Sequence, residues 1–161
     1  INALLDKIRE KVPGVALRTT LIVGYPGETP EEFEELKAWV QEQRFDRMGC
    51  FAYSEEEGTS AAQLEDDVPD EEKQRRVEEL MEVQREISLQ KNEEKVGKTL
   101  RVLIDTEQPD VYIGRTEYDS PEVDQEILIP ASERRLLRGH FYDVTVTSAA
   151  DYDLYGEIAA K

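Results

Sequence analysis

The turn at residues 24–29 (GYPGET) follows an apolar run and contains a proline and two glycines, Gly24 and Gly27. In α/β proteins, ligands gather beyond the carboxyl ends of the strands, and a glycine there lets the backbone approach a ligand without an intervening Cβ. The turn is therefore a candidate ligand site. The alternative is that both glycines only supply the backbone angles of a turn before a helix, because such turns are common.

A second candidate lies at residues 51–54 (FAYS), where the next apolar stretch ends with two aromatic side chains. The rings of Phe51 and Tyr53 can stack on a planar base. The alternative is that they fill a core, which is the more common use of such aromatics. The two candidates follow neighbouring strands of the predicted sheet, so we predict a ligand site at the strand ends.

The other chemistry-bearing residues form no catalytic set or metal motif. The GKT motif at residues 97–99 lacks the glycine that a phosphate loop needs five residues earlier, where Asn92 stands, and it precedes a predicted strand. His140 is the only histidine and is predicted to be a surface or turn residue. Cys50 is the only cysteine and is predicted to be a small buried side chain.

The chain of 161 residues is strongly acidic, since 37 Asp and Glu against 20 Lys and Arg give a net charge of −17. This charge repels nucleic acid phosphates and favours a basic protein as partner. The acidic groups at residues 55–57 and 65–67 are predicted to be solvated loop faces. A single cysteine forms no internal disulfide, so the cytoplasm is the expected location. No apolar run approaches the roughly 20 residues of a membrane-spanning helix, so no membrane partner is expected.

Residues 1–54 are predicted to alternate helix, strand, helix, strand, an order typical of a parallel α/β sheet or barrel. The second helix is predicted to begin with Thr29 as N-cap, Pro30 at the first position and Glu32 in a capping box. The first strand, residues 17–23, shows little alternation and is predicted to be covered on both faces. The first helix is predicted to bury one face, formed by Ile1, Leu4, Leu5, Ile8 and Val12.

Two strands do not complete a sheet or barrel of this kind, so we expect the chain to be part of a longer protein. Residues 55–69 are predicted to be a loop, and residues 70–94 a long connecting helix. The buried stripe of that helix is predicted to contain Val77, Leu80, Met81, Gln84 and Ile87.

Five short strands are then predicted, at residues 100–105, 111–115, 126–129, 141–147 and 152–158, and they suggest a small closed barrel. The expected domains are residues 1–69, 70–96 and 97–161.

Two segments carry a resemblance to a known family. Residues 18–29 (RTTLIVGYPGET) and 44–62 (RFDRMGCFAYSEEEGTSAA) resemble the last part of the radical S-adenosylmethionine (SAM) domain of bacterial methylthiotransferases. Three further segments, VGKTLRVLID, VYIGRTEYDSPEVD and DYDLYGE, resemble the C-terminal TRAM barrel of the RimO-type branch, which modifies a ribosomal protein rather than tRNA. The implied fold is α/β followed by all-β: the last strand–helix units of a TIM-like partial barrel, a long connecting helix, and a five-stranded OB-like TRAM barrel.

The resemblance implies a specific reaction, the transfer of a methylthio group to the β-carbon of an aspartate in protein twelve of the small ribosomal subunit. Enzymes of this family use SAM and two four-iron four-sulfur (4Fe-4S) clusters. One cluster generates a 5′-deoxyadenosyl radical that abstracts hydrogen from the substrate, and the other serves in sulfur delivery. The clusters are held by two cysteine triads, and this chain has one cysteine in neither spacing. We therefore expect the catalytic residues and the cluster ligands to lie outside this chain, and the chain alone to be inactive.

The resemblance also assigns SAM-contacting positions. On the first strand and the turn after it, and at the end of the second strand, the positions that match adenine contacts are Ile22, Val23, Gly24, Phe51, Ala52 and Tyr53. Arg18 is a candidate for a polar contact to the cofactor or the surroundings of the second cluster. If the bare turn accommodates the nucleoside, Gly24→Val should weaken SAM binding without unfolding the protein.

The charge of the predicted barrel distinguishes the substrate classes. Residues 97–161 contain 7 Lys and Arg against 13 Asp and Glu, a net charge of −6. A barrel that binds phosphates should carry a basic stripe, whereas an acidic one suits a basic ribosomal protein. Local basic residues, Arg134, Arg135 and Arg138, keep some contact with RNA open. The alternatives are a tRNA adenosine methylthiotransferase and an RNA- or protein-binding TRAM module without catalysis. A monomer is expected.

Overall fold

The computed structural model describes residues 1–121, 124–131 and 135–159. These residues form two units, one of Leu17–Ile87 and one of Ile1–Ala16 together with the chain from Ser88 onward. A long helix, α3 (Asp70–Glu93), contributes residues to both units. The domain boundaries given above, at 69/70 and 96/97, stay a prediction.

The first unit is an α/β unit built from β1 (Arg18–Val23), α2 (Pro30–Gln43), β2 (Arg47–Ala52) and the first part of α3. The two strands pair in parallel, as predicted, in a register that sets Arg18 opposite Arg47 at one end and Val23 opposite Ala52 at the other. Among the described residues the sheet contains these two strands only. The α/β fold class of this part is confirmed.

The start of α2 is the one predicted. Thr29 Oγ1 accepts the N–H of Glu32 at 3.2 Å, and a Glu32 carboxylate oxygen accepts the N–H of Thr29 at 2.9 Å. This capping box satisfies two backbone donors that a helix start leaves without partners, and Pro30 follows at the first helical position. The turn at residues 24–29 therefore ends at a fixed point.

Within residues 1–121, 124–131 and 135–159, β1 is covered on one face only, so the predicted cover of both faces is not found there. Arg18, Thr20 and Ile22 are exposed, whereas Val23 is fully buried at the end of the opposite face. The absence of polar–apolar alternation suggested two covered faces, but a sheet face is buried only where another element lies on it. One face of the sheet, which we call the open face, is uncovered by the described residues.

The buried stripe of α3 is confirmed in part and is longer than predicted. Leu80, Gln84 and Ile87 are buried, whereas Val77 and Met81 are only partly buried. The same stripe continues toward the start of the helix through two buried basic residues, Lys73 and Arg76. Since the predicted loop before α3 includes a short 3-10 turn, Ala61–Gln63, that segment is not wholly irregular.

The second unit contains the predicted five-stranded closed barrel. Its strands are β3 (Thr99–Glu107), β4 (Val111–Thr116), β5 (Ile127–Pro130), β6 (Phe141–Ala149) and β7 (Leu154–Ile158), and their order in the barrel is β3-β4-β5-β7-β6. All pairs are antiparallel except β5 with β7. The observed strands agree with the predicted ones to within two residues. The largest differences lie at the C-terminal ends of β3 and β6 and at the N-terminal end of β7.

The barrel interior is closely packed. Its core consists of Val102, Ile104, Tyr112, Ile127, Ile129, Leu136, Val144, Val146 and Leu154. Two inward positions are glycines because neighbouring strands leave no space for a side chain there. A Cβ on Gly114 would lie 2.6 Å from the carbonyl oxygen of Leu103, and one on Gly156 would lie 2.5 Å from Val144 Cγ1. The absence of a Cβ therefore sets how closely these strands approach.

The predicted buried face of the first helix, α1 (Asn2–Lys11), is not observed. The helix contains no buried residue, and Leu4 is 61% exposed. Leu5 and Ile8 are partly covered, whereas Ile1 and Val12 are exposed. Helical spacing of apolar residues predicts a stripe, but burial also requires an element that covers it. None of the helices in residues 1–121, 124–131 and 135–159 is long and apolar enough to cross a membrane.

Candidate functional site

The two predicted ligand-binding segments meet at one edge of the sheet. β1 and β2 end side by side, and the N–H of Tyr53 donates to the carbonyl oxygen of Val23 at 2.8 Å. The structure thus brings residues 22–24 and 51–53 together. Arg18 lies at the other end of β1, four residues from Ile22, which is about 13 Å at ~3.3 Å per residue.

The open face carries an apolar platform near these strand ends. Ile22 and Phe51 are direct neighbours across the strand pair, and they are 58% and 62% exposed. Phe51 therefore does not fill a core formed by the described residues, contrary to the core alternative. Next to them lies Gly49, where an added Cβ would meet no atom closer than 3.8 Å. An exposed aromatic ring beside a bare strand segment suits a planar ligand.

The opposite face of the sheet is buried and has a different role. Val23, Met48 and Cys50 lie in the core, so the side chain of Val23 faces away from the platform. Burial raises the pKa of the Cys50 thiol to about 11, with a further contribution from the carboxylate of Glu28. The prediction of a small buried cysteine is confirmed. Because a four-iron cluster needs several cysteine ligands and Cys50 is the only cysteine of the chain, this buried residue does not by itself hold a cluster.

Both glycines of the turn supply backbone angles that the turn requires, as the alternative interpretation stated, and Gly24 has a further role. Gly24 has φ 72° and Gly27 has φ 85°, which are backbone angles that residues other than glycine rarely adopt. An added Cβ on Gly24 would lie 2.3 Å from Lys73 Cγ. The bareness of this position therefore accommodates a lysine stem of α3. Gly24→Val would displace Lys73 and strain the backbone, so we now expect this variant to destabilise the fold in addition to any effect on SAM binding.

Two acidic residues that were predicted to be solvated have defined partners. Asp67 Oδ1 accepts the N–H of Gly27 at 2.6 Å, and the carboxylate of Asp66 forms an ion pair with Lys73. The neighbouring acidic group at residues 55–57 is exposed, as predicted. His140 is also exposed, and residues 97–99 lead into β3, as predicted.

Lys73 and Arg76 were not predicted as site residues, and their side chains are each 3% exposed. Charged residues are rarely buried, so a pattern search for apolar positions passes over them. The available signal was spacing, because residues 73, 76, 80, 84 and 87 continue one helical stripe. No group of three or more His, Cys, Asp or Glu that could hold a metal ion is found in the part of the chain that the structure describes.

The start of α3 predicts a pH dependence of stability. Hydrogen bonds from Arg75 and Arg76 lower the pKa of Glu72 to about 2 in the folded protein, against an ordinary value of 4.5. The ionised form is thus favoured by folding, and its contribution to stability is complete above pH 4.5 and is lost as the pH falls toward 2.

In urea titrations, the free energy of unfolding should therefore fall over this window, and it should fall less for Glu72→Gln. Glu57→Gln, at an exposed loop position, is the control, and its free energy of unfolding should change with pH as that of the unsubstituted chain does. If the free energy of unfolding fell equally with pH for Glu72→Gln and for the unsubstituted chain, the lowered pKa of Glu72 would be contradicted.

The sequence of this chain is similar to a known domain family and to named proteins. Residues 96–159 match the TRAM domain family. The ribosomal protein uS12 methylthiotransferase RimO of Christiangramia forsetii is 56% identical over 154 residues, which are 96% of this chain and 34% of that protein. The protein of the same name from Bacteroides thetaiotaomicron is 57% identical over 159 residues, 98% of this chain and 36% of the relative.

A more distant relative of the same name, from Cytophaga hutchinsonii, is 49% identical over 155 residues, 96% of this chain and 36% of the relative. The chain spans about a third of the length of the curated relatives that it matches. The match of the closed barrel to the TRAM family and the identity along nearly the whole chain agree, and the chain belongs to the family of RimO-type ribosomal protein uS12 methylthiotransferases, as a C-terminal part.

Proposed function

We propose that the chain is part of an enzyme that adds a methylthio group to the β-carbon of an aspartate in ribosomal protein uS12, by radical SAM chemistry. The observation that carries this proposal is the identity of 56–57% over 96–98% of the chain to proteins named for uS12 methylthiolation. The proposal assigns two tasks to this chain, binding of the cofactor at the strand ends and binding of the protein substrate by the barrel.

The open face fits the adenosine part of SAM. Phe51 offers an exposed ring for stacking on the adenine, and Ile22 adds apolar contact beside it. The exposed Ala52, the partly buried Tyr53 and the backbone of Val23 and Gly24 complete the rim of the site. When bound with its cluster, SAM supplies the radical that abstracts hydrogen from the substrate. This chain's residues bind and orient the nucleoside, and Arg18 offers a cation at the far end of β1.

The iron–sulfur clusters do not fit the residues of this chain. Cys50 is its only cysteine, and the buried thiol favours the neutral form. We therefore propose that both 4Fe-4S clusters are held by other residues of the full-length protein. On this proposal the chain contributes no metal ligand.

The barrel suits a basic protein substrate. Residues 97–161 carry a net charge of −6, which attracts a basic ribosomal protein and opposes binding of RNA phosphates. Arg135 and Arg138 are exposed and are available for a local contact with RNA near the substrate, whereas Arg134 lies outside the described residues. We also propose that the enzyme acts as a monomer in the cytoplasm, where its ribosomal substrate is found.

The function is tested by product analysis. The reconstituted full-length enzyme is incubated without oxygen with SAM, a sulfur donor, a low-potential reductant such as dithionite and either uS12 or a tRNA pool, and both products are analysed by mass spectrometry. The proposal expects a methylthio group on an aspartate of uS12 and none on tRNA. Modification of tRNA with unmodified uS12 would replace the proposed substrate, and modification of neither would overturn the function.

The metal content of the two forms is a separate prediction. The full-length enzyme, purified without oxygen, should contain iron and acid-labile sulfide, because the clusters are proposed to lie outside this chain. The 161-residue chain prepared in the same way should contain neither. Stoichiometric iron in this chain alone would contradict the argument from Cys50.

A further inference from the structure

We propose that Lys73 and Arg76 of α3 are positioning residues for the cofactor site, because they hold the turn after β1 and the aromatic ring after β2 in place. The inference rests on the proposed function of the strand ends as a SAM site. All residues concerned lie within the unit Leu17–Ile87.

Arg76 holds the turn through one carboxylate. Its Nη1 donates to Glu28 Oε1 at 2.5 Å and to the carbonyl oxygen of Glu28 at 3.0 Å. The same Oε1 accepts the N–H of Gly24 at 3.0 Å. The guanidinium of α3 is thus connected, through Glu28, to the backbone of the first residue after β1. The position of Gly24 relative to the open face is therefore set by a helix outside the sheet.

The other donor side of Arg76 is also fixed. Its Nε donates to Glu72 Oε1 at 2.8 Å, one turn earlier on α3. The planar guanidinium lies 5.5 Å from the ring centroid of Phe33, which is fully buried in α2. A guanidinium held by two carboxylates and a ring has little freedom to rotate, so it fixes Glu28 in one orientation.

Lys73 holds both strand ends. Its stem occupies the space beside Gly24, where a Cβ would lie 2.3 Å from Lys73 Cγ. Its Nζ lies 5.4 Å from the ring centroid of Tyr53 and forms an ion pair with Asp66. The ring of Tyr53 also contacts Tyr25 edge to face, with centroids 5.4 Å apart. One side chain of α3 therefore touches the residue after β1 and the residue after β2.

The buried ion pairs of Lys73 and Arg76 affect folding differently from an apolar contact. Burying an ion pair costs desolvation that its attraction offsets only in part, so apolar replacement of both partners is often neutral or stabilising for folding. Removal of one partner alone is strongly destabilising, because a buried charge is left without its partner. This network ends at the proposed ligand site, at the N–H of Gly24 and the ring of Tyr53, and this geometry indicates a role in placing that site.

The test removes the network without leaving a buried charge. In the double variant Glu28→Gln/Arg76→Met, the new side-chain amide at position 28 retains an oxygen for the N–H of Gly24, while the connection to α3 is lost. Dissociation constants for SAM are measured by equilibrium dialysis on the full-length, cluster-loaded enzyme, together with thermal unfolding and binding of a uS12 peptide. The control is Arg75→Met, whose guanidinium on the same helix is half exposed and also pairs with Glu72.

The double variant should bind SAM on the order of 10-fold more weakly, the size of effect seen when outer partners of a bound site are removed. Its affinity for the uS12 peptide should stay at the unsubstituted value, as should both affinities of Arg75→Met. The melting temperatures of the two variants should be alike, since each variant loses one arginine that donates to Glu72. Unchanged SAM affinity in a folded double variant would overturn the positioning role.

A second variant covers the case in which the first does not fold. Lys73→Met/Asp66→Asn removes the other ion pair and keeps a stem of similar volume beside Gly24. It should weaken SAM binding by releasing Tyr53, and unchanged affinity in this variant would also overturn the inference. If the unsubstituted enzyme bound no SAM, the proposed function itself would fail, so the two failures are distinguishable.

Discussion

Gly114→Ala should destabilise the barrel by about 1–3 kcal/mol, the usual cost of inserting a carbon into a closely packed site. The added Cβ would lie 2.6 Å from the carbonyl oxygen of Leu103 and 2.6 Å from Val102 Cγ1. The side chain of Val102 can shift only within a filled core, and the carbonyl belongs to the neighbouring strand of a closed barrel. Strand β4 must therefore move away from β3.

Urea unfolding measures this effect, with Gly49→Ala as the matched control. Gly49 also lies within a strand, but an added Cβ there would meet nothing closer than 3.8 Å. The control should be neutral for folding or slightly stabilising, since alanine restricts the unfolded chain more than glycine does. Equal stability of the two variants would contradict the packing argument for the barrel.

Phe51→Ala should weaken SAM binding by the full-length enzyme by about 10-fold or more. Stacking of a base on an aromatic side chain contributes about 1–3 kcal/mol, and each ~1.4 kcal/mol corresponds to a factor of ten. Folding should be little affected, because the side chain of Phe51 is 62% exposed on the open face. The change therefore separates binding from stability.

Equilibrium binding of SAM and thermal unfolding are measured on the same preparations. Leu64→Ala is the control, since Leu64 is a large apolar residue of the same unit with a similar degree of exposure and lies outside the open face. The control should bind SAM as the unsubstituted enzyme does. A Phe51→Ala enzyme with unchanged affinity would remove the open face as the adenine site.

The features that the sequence predicted well are those determined by neighbours in the chain. The start of α2 depends on Thr29, Pro30 and Glu32, which lie within four residues of one another, and the structure reproduces it. The barrel strands could be predicted equally well from the sequence, since turn residues separate short stretches with β-strand composition. Closure of the barrel followed from their number and length.

Features that depend on distant partners were not predictable in the same way. The apolar stripe of α1 predicted burial, but no covering element follows from the spacing of Leu4 and its neighbours. The lack of alternation in β1 likewise did not indicate which face would stay open. Helical periodicity identifies a stripe, whereas burial is decided by what packs on it.

The candidate site was predictable in position but not in its supporting contacts. Residues 22–24 and 51–53 meet at one sheet edge, as the parallel arrangement required. Lys73 and Arg76 were missed because a charged residue is normally assigned to a solvated face. Their burial depends on carboxylates 7 and 48 residues away, Asp66 and Glu28, and no local pattern connects such pairs.

The buried thiol of Cys50 has a practical consequence for work on the whole enzyme. Alkylating reagents such as iodoacetamide react with the thiolate, and a pKa of about 11 leaves almost none of it at neutral pH. In the native state this residue should therefore stay unlabelled. The cysteines that become reactive when iron is removed by a chelator can then be counted without a background from this part of the protein.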